Sequence, residues 1–211
     1  MSTAIPIVFV VDDDLSVRES LELLIQNENW KPETFASAQE FLNHPRTLVP
    51  SCLVLDLSLP GLNGLELQQR LAIEHIDMPI IFITGHGDVP QTVQAMKAGA
   101  LEFLTKPLDS DALISAICNA LRRSHLALAQ DEEMQELARR YASLTPRERQ
   151  VMALVVAGLL NKQVGGELGI SEITVKAHRG QVMQKMKANS LADLVKIAAK
   201  LGPARPAIHA A

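Results

Sequence analysis

Five apolar stretches in the first 122 residues have the pattern of β-strands. Three of them, "IPIVFVV", "SCLVLDL" and "MPIIFIT", are short continuous runs of mostly Val, Ile and Leu. Such runs are typical of strands buried on both faces of a parallel sheet. "WKPETF" and "LEFLT" are weaker strand candidates.

Amphipathic stretches with the helical period separate these runs. They predict helices over 15–27, 36–43, 64–74, 89–98 and 109–122. Because parallel strands need a crossover connection, strict alternation of strand and helix predicts a doubly wound α/β domain with a five-stranded parallel sheet.

The rest of the chain is helical in pattern. Residues 123–142 contain no Gly or Pro and predict a helical linker that can continue the preceding helix. "LTPRERQVMALVVAG" begins with a capping box, with Thr145 as N-cap, Pro146 at the first helical position and Glu148 three residues after the cap. Three more helices are predicted in "NKQVGGELG", "ISEITVKAHRGQVMQKMKA" and "SLADLVKIAAKL". We therefore expect an α/β domain over 1–122, a helical linker over 123–142 and an all-α helix-turn-helix domain over 143–205.

Composition restricts the class of protein. The chain is 47% hydrophobic, which is enough for a core, yet no apolar run approaches the ~20 residues of a membrane span. "IPIVFVV" is too short for a signal peptide and follows no basic segment, so we expect a cytoplasmic protein without a membrane partner. Cys52 and Cys118 both lie in apolar segments and predict two reduced core thiols, with a disulfide or a metal pair as the alternative.

The net charge of −4 conceals an asymmetry between the two halves. From residue 141 onward the chain has ten basic and four acidic residues, a net +6, which leaves −10 on the first 140 residues. An acidic front and a basic rear predict one partner near the front and a polyanion at the rear.

Polar residues follow the strands of the predicted sheet. Asp12 and Asp13 follow the first strand, while Asp56, Thr84 and Lys106 stand at the ends of the third, fourth and fifth. The carboxyl ends of parallel strands share one rim, where such folds bind ligands. Three carboxylates kept close favour Mg²⁺, and an added lysine and hydroxyl suit a doubly charged oxyanion. A central carboxylate can then accept a phosphoryl group as a nucleophile.

These motifs resemble the receiver domains of two-component response regulators. "DLSLPGLNGLEL", "ITGHGDVP" and "AMKAGALEFLTKP" are similar to the FixJ-like subgroup, although Leu59 replaces the usual Met. The resemblance implies that Asp56 is the phosphoacceptor. It also implies Mg²⁺ held by Asp13, Asp56 and the backbone carbonyl of Ser58, with Asp12 binding directly or through water.

The same resemblance assigns further roles near the rim. Thr84 and Lys106 would contact the phosphoryl group, the Lys106–Pro107 bond would be cis, and Phe103 would be an aromatic switch, with simple core packing as the alternative. We expect Asp14 to cap the helix that starts at Leu15 and not to bind metal. His86 lies next to the predicted site, but we do not assign it a role as a metal ligand or as a general base.

The segment "NKQVGGELGISEITVKAHRGQVMQKM" has the pattern helix, tight turn, helix. Val175, Val182 and Met186 form an apolar stripe that would seat the second helix on its neighbours. A basic helix held in this way can enter the major groove of DNA, where base edges are distinguishable. A merely solvated basic face is the alternative.

This half resembles the four-helix DNA-binding domain of NarL/FixJ (LuxR-type) regulators. Val175 could be scaffold alone, and Arg179 could contact only phosphate. Gly165 and Gly166 depart from the usual residues and either allow close packing or leave the helix loose. The candidate DNA contacts are Lys162, Glu172, Thr174, Val175, Lys176, Arg179 and Lys185.

The sequence thus predicts a transcription regulator controlled by phosphorylation. A histidine kinase would donate a phosphoryl group to Asp56 while Mg²⁺ is bound. The protein would then dimerise through its receiver domain and bind promoter DNA, and RNA polymerase is a further candidate partner. We expect no enzyme activity beyond self-catalysed phosphoryl transfer and autodephosphorylation. The alternative is a Mg²⁺-dependent phosphohydrolase of the haloacid dehalogenase type, which the lack of D-x-D spacing disfavours. A ligand-sensing regulator is disfavoured because aromatic residues are only 3% of the chain.

Overall fold

The computed structural model describes residues 4–45, 47–85 and 89–202. The chain folds into two compact units, residues 1–129 and 130–211. Within the described ranges, no helix is both long and apolar enough to cross a bilayer.

The first unit is built on a parallel sheet in the order β2-β1-β3-β4-β5. The three central strands are buried throughout, as their continuous apolar sequences predicted, whereas the edge strands β2 and β5 are only partly buried. The strands are β1 (Ile7–Val11), β2 (Lys31–Phe35), β3 (Ser51–Asp56), β4 (Ile80–Thr84) and β5 (Glu102–Thr105).

Helices cover both faces of the sheet, which confirms the doubly wound fold. Alternate strand residues supply two separate cores: Phe9 and Phe82 belong to one, and Val10 and Ile83 to the other. The helices are α1 (Leu15–Asn27), α2 (Ala38–Asn43), α3 (Gly64–Ile73), α4 (Val89–Lys97) and the start of α5 (Ser110–Ala142).

Two local predictions need correction. Helix α2 begins two residues later than predicted, because Ser37 is its N-cap and accepts a hydrogen bond from the backbone N–H of Glu40. Both cysteines are free, but only Cys52 is in the core. Cys118 is exposed because it lies on the outer face of α5, next to the inward-facing Ile117.

Helix α5 is continuous through residues 123–142, as the absence of helix breakers suggested. The second unit then adds α6 (Pro146–Val156), α7 (Asn161–Leu168), α8 (Glu172–Met186) and α9 (Leu191–Lys200) around one apolar core. The predicted capping box of α6 is present: Thr145 Oγ1 accepts from the Glu148 N–H at 3.2 Å, and Glu148 Oε2 accepts from the Thr145 N–H at 2.8 Å.

Candidate functional site

Three aspartates meet at the carboxyl rim of the sheet. Asp12 follows β1 and Asp56 ends β3, at the point where the strand order reverses and where such sheets bind ligands. Asp12 and Asp56 are buried and Asp13 is exposed. One carboxylate oxygen from each lies within 4.8 Å of the other two, so the structure brings together the three acids that the sequence placed on this rim.

Lys106 joins the two buried carboxylates. Its Nζ donates to Asp12 Oδ2 at 2.7 Å and to Asp56 Oδ2 at 2.8 Å. Burial by itself would lower the pKa of Lys106, but the two carboxylates outweigh it and hold the pKa above its ordinary value. Burial raises the pKa of Asp12 above its ordinary range, even though the bond to Lys106 acts in the opposite direction. Lys106 is therefore held charged between the acids.

The donor set fits a small divalent cation. Three carboxyl groups cluster here, and one ammonium group, that of Lys106, contacts only two of them, Asp12 and Asp56. Hard oxygen ligands in this number are the ligands that Mg²⁺ prefers. The chemistry of the residues present thus agrees with the metal predicted from the sequence.

Backbone groups fix the orientation of both buried acids. The Asp14 N–H donates to Asp12 Oδ1 at 2.9 Å, and the Ser58 N–H donates to Asp56 Oδ1 at 3.0 Å. Asp14 itself caps α1 by accepting from the Ser16 N–H, as predicted. A metal-ligand role for the Ser58 carbonyl stays a prediction.

Two residues that support the acids were missed from the sequence. The Arg18 guanidinium donates to the backbone carbonyl of Asp12 at 2.7 Å, a contact that no sequence signal indicated. Gly64 lies so close to β3 that a Cβ there would be 2.6 Å from the Asp56 carbonyl oxygen and 3.0 Å from the ring of Phe82. Gly64 is the second glycine of the stretch "DLSLPGLNGLEL" that resembles the receiver family, so its place in that stretch was the available signal.

The remaining predicted rim residues lie beside this cluster. Thr84 is buried at the end of β4, and its carbonyl accepts from the Lys106 N–H at 2.7 Å. Phe103 is half-buried, with its ring centroid 6.4 Å from that of Phe82. The Lys106–Pro107 peptide bond is cis, as predicted. His86 lies outside the described residues.

In the second unit, α8 has two distinct faces. Val175, Val182 and Met186 are buried against the other helices, which confirms the predicted apolar stripe. Thr174 and Lys176 are exposed, and Lys176 forms an ion pair with Glu172 at 3.3 Å.

The other predicted DNA contacts differ in how accessible they are. Lys162 is exposed on α7. The Arg179 guanidinium donates to Asn161 Oδ1 at 3.2 Å, and Lys185 Nζ binds Glu148 Oε2 at 2.7 Å, so both side chains have partners within the unit. The Val175 side chain is fully buried in the core of the second unit, so it packs as scaffold and is not accessible to DNA.

The paired glycines of α7 have different roles. A Cβ on Gly165 would lie 2.7 Å from the carbonyl oxygen of Ile170, whereas a Cβ on Gly166 would have no atom within 4 Å. Gly165 therefore allows close packing between α7 and the turn before α8, one of the two alternatives left open. Ile173, which the sequence did not single out, is 80% exposed in the first turn of α8.

Comparison with known families divides the chain at nearly the same place as the structure. The family described as "Response regulator receiver domain" matches residues 8–118, and "Bacterial regulatory proteins, luxR family" matches residues 142–198.

Relatives with both parts cover almost the whole chain. Nodulation protein W of Bradyrhizobium diazoefficiens is 50% identical over 93% of this chain and 86% of its own length. The transcriptional regulatory protein FixJ of the same organism is 43% identical over 92% of this chain and 95% of its own length. Among solved structures, the response regulator StyR aligns with a TM-score of 0.86 at 49% identity, covering 93% of this chain and 100% of that one.

Proposed function

The chain belongs to the response regulators that combine a receiver domain with a LuxR-type DNA-binding domain, and we propose that phosphorylation of Asp56 controls its activity as a transcription regulator. The observation that carries this proposal is the arrangement of Asp12, Asp13, Asp56 and Lys106 at one rim of the sheet. The phosphohydrolase alternative is set aside, since the receiver-domain match over residues 8–118 and the strand positions of the acids favour a receiver.

In the proposed reaction, a carboxylate oxygen of Asp56 attacks the phosphorus of a phosphohistidine on a partner kinase. The new O–P bond forms as the P–N bond breaks, and the imidazole nitrogen leaves with its electron pair. The Ser58 N–H keeps the Asp56 carboxylate oriented, and Lys106 supplies positive charge beside the oxygen that gains the phosphoryl group.

Asp12, Asp13, Asp56 and the Ser58 carbonyl would hold Mg²⁺. When bound, the ion supplies positive charge that stabilises the oxygens of the transferring phosphoryl group. The protein itself would catalyse only this transfer to Asp56 and the later loss of the group, and would have no other enzyme activity.

We further propose that the kinase docks at a cleft beside the rim. It has a volume of about 550 Å³, and α1 lines one side while the segment from Lys106 to Leu108 lines the other. Leu23 of α1 lines it as well and is 64% exposed, so the cleft offers an exposed apolar side chain. A protein that must bring a phosphohistidine to Asp56 would cover this cleft.

Phosphorylation would then be transmitted through Thr84 and Phe103 to the neighbouring surface. Thr84 would bind a phosphoryl oxygen, and Phe103, which contacts Phe82 in the core, would turn inward. Helix α4 exposes Val89, Val93 and Met96, an apolar surface that supports dimerisation when its shape changes. A dimer would place two α8 helices on the two half-sites of a promoter.

Intact mass after incubation with Mg²⁺ and acetyl phosphate tests the proposal. We expect one labile phosphoryl adduct in the wild type, none in Asp56→Asn, and a normal adduct in the control Asp111→Asn, which changes an exposed acid on α5. Gel filtration with beryllofluoride should show a dimer. An adduct that persists in Asp56→Asn, or a protein that stays monomeric after treatment, contradicts the proposal.

A further inference from the structure

Ile173 is the most exposed large aliphatic side chain among the described residues of the second unit, and it lies at the start of α8, the helix proposed to enter the DNA groove. It is 80% exposed in the first turn of α8, whose N-cap is Ser171. An exposed isoleucine does not help to fold the helix, because β-branched residues are poor helix formers. Its exposure leaves the side chain available for contact with another molecule.

Ile173 lies opposite the buried face of α8. Residues that are spaced by three or four lie on the same side of a helix, so Ile173, Ala177 and Gly180 form one row. All three are exposed, while Val175 and Val182 face the core. The side of α8 that is available to DNA thus has an isoleucine near its start and two small residues behind it.

The small residues give the helix room to approach a groove floor. A Cβ on Gly180 would have no atom within 4 Å, so this surface is open. The row consists of uncharged residues, and the neighbouring Lys176 is paired with Glu172. Charge supplied elsewhere, in a half with net +6, can hold the phosphates while this row faces the bases.

We propose that Ile173 reads a thymine in the major groove through contact with the thymine methyl group. The N-terminal residues of a recognition helix are those that reach base edges, and the methyl group of thymine is the one apolar feature there. This inference rests on the proposed DNA-binding function and adds a specificity-determining residue to it.

Replacing thymine by uracil in a bound duplex removes this methyl group alone. The duplex is first selected from a random pool by the beryllofluoride-treated full-length protein, and each thymine is then changed to deoxyuridine in turn. Loss of one buried methyl contact should weaken wild-type binding about three- to fivefold at one position in each half-site, at constant salt.

The variant Ile173→Ala should bind the thymine and uracil duplexes equally at that position. Alanine also favours helix, so this variant is expected to fold. Leu160→Ala, which truncates another exposed aliphatic residue of the same unit, should keep the wild-type thymine-to-uracil ratio.

The outcomes separate the two proposals. Equal thymine-to-uracil ratios in the wild type and in Ile173→Ala overturn the role of Ile173 but leave DNA binding intact. A change in self-association alone, without a change in that ratio, also overturns it by assigning Ile173 to contact between copies. Failure of the treated wild type to select any duplex overturns the DNA-binding function, and the role of Ile173 with it.

Discussion

Adjacent glycines in α7 allow a test of close packing in which only one substitution should be harmful. A helical glycine costs about 0.5–1 kcal/mol relative to alanine. Gly166→Ala enters open space, since no atom lies within 4 Å of the added Cβ. This variant should therefore raise the free energy of unfolding by about 0.5–1 kcal/mol.

Gly165→Ala gains the same helix propensity but meets backbone. Its Cβ would lie 2.7 Å from the carbonyl oxygen of Ile170, and the Ile170 N–H donates to the Gly165 carbonyl at 3.0 Å. A backbone segment cannot move aside as easily as a flexible side chain, and overpacking typically costs about 1–3 kcal/mol. With part of a hydrogen bond lost as well, at about 0.5–1.5 kcal/mol, we expect a net loss of about 1–3 kcal/mol.

Thermal unfolding of the full chain measures both variants. Trp30 is the only tryptophan and lies in the first unit, whereas Tyr141 is the only tyrosine and packs in the second. For a domain of this size, 1 kcal/mol corresponds to about 4–8 °C in Tm. The Tm of the second unit, followed through Tyr141, should rise in Gly166→Ala and fall in Gly165→Ala. The Tm of the first unit, followed through Trp30, should stay constant.

Two results would refute the reasoning about these glycines. If Gly165→Ala is as stable as the wild type, the Ile170 carbonyl can move cheaply and close approach does not require glycine. If Gly166→Ala is destabilised to the same degree, both positions respond to something other than space.

Further predictions concern three other features. The Cβ in Gly64→Ala would displace the Asp56 carbonyl, so this variant should destabilise the first unit by about 1–3 kcal/mol and slow the labelling of Asp56 by acetyl phosphate. Mass spectrometry over time measures the labelling rate, and labelling at the wild-type rate counts against this reasoning. Lys185 lowers the pKa of Glu148 below its ordinary 4.5, so the pair stabilises the fold above that pH and its contribution is lost as the pH falls through the lower folded value. The Tm of the second unit should therefore fall on acidification more in the wild type than in Lys185→Met, and equal slopes would exclude this pair as a cause. Native protein treated with iodoacetamide should gain one adduct, at the exposed Cys118, because Cys52 is buried and burial raises the pKa of its thiol. Two rapid adducts would contradict the burial of Cys52.

The fold and the main site residues could be predicted from the sequence because their signals are local. Continuous apolar runs predicted β1, β3 and β4, and the absence of Gly and Pro predicted an unbroken α5. Acids at strand ends predicted a shared rim, because parallel strands bring their carboxyl ends together. The caps at Asp14 and Thr145 were predictable for the same reason, since a cap involves residues only two or three positions apart.

Only the tertiary structure decided contacts between residues distant in sequence. The sequence predicted Lys185 as a DNA contact, but in the structure it pairs with Glu148, which lies 37 positions earlier in the chain. Glycine is needed at positions 64 and 165 because backbone oxygens of other segments lie too close to leave room for a Cβ. The spacing of residues along the sequence carries no information about such distances. Exposure likewise depends on which face of a helix the neighbours cover. That coverage buries Val175 and exposes Cys118 and Ile173, although all three are apolar residues in helices.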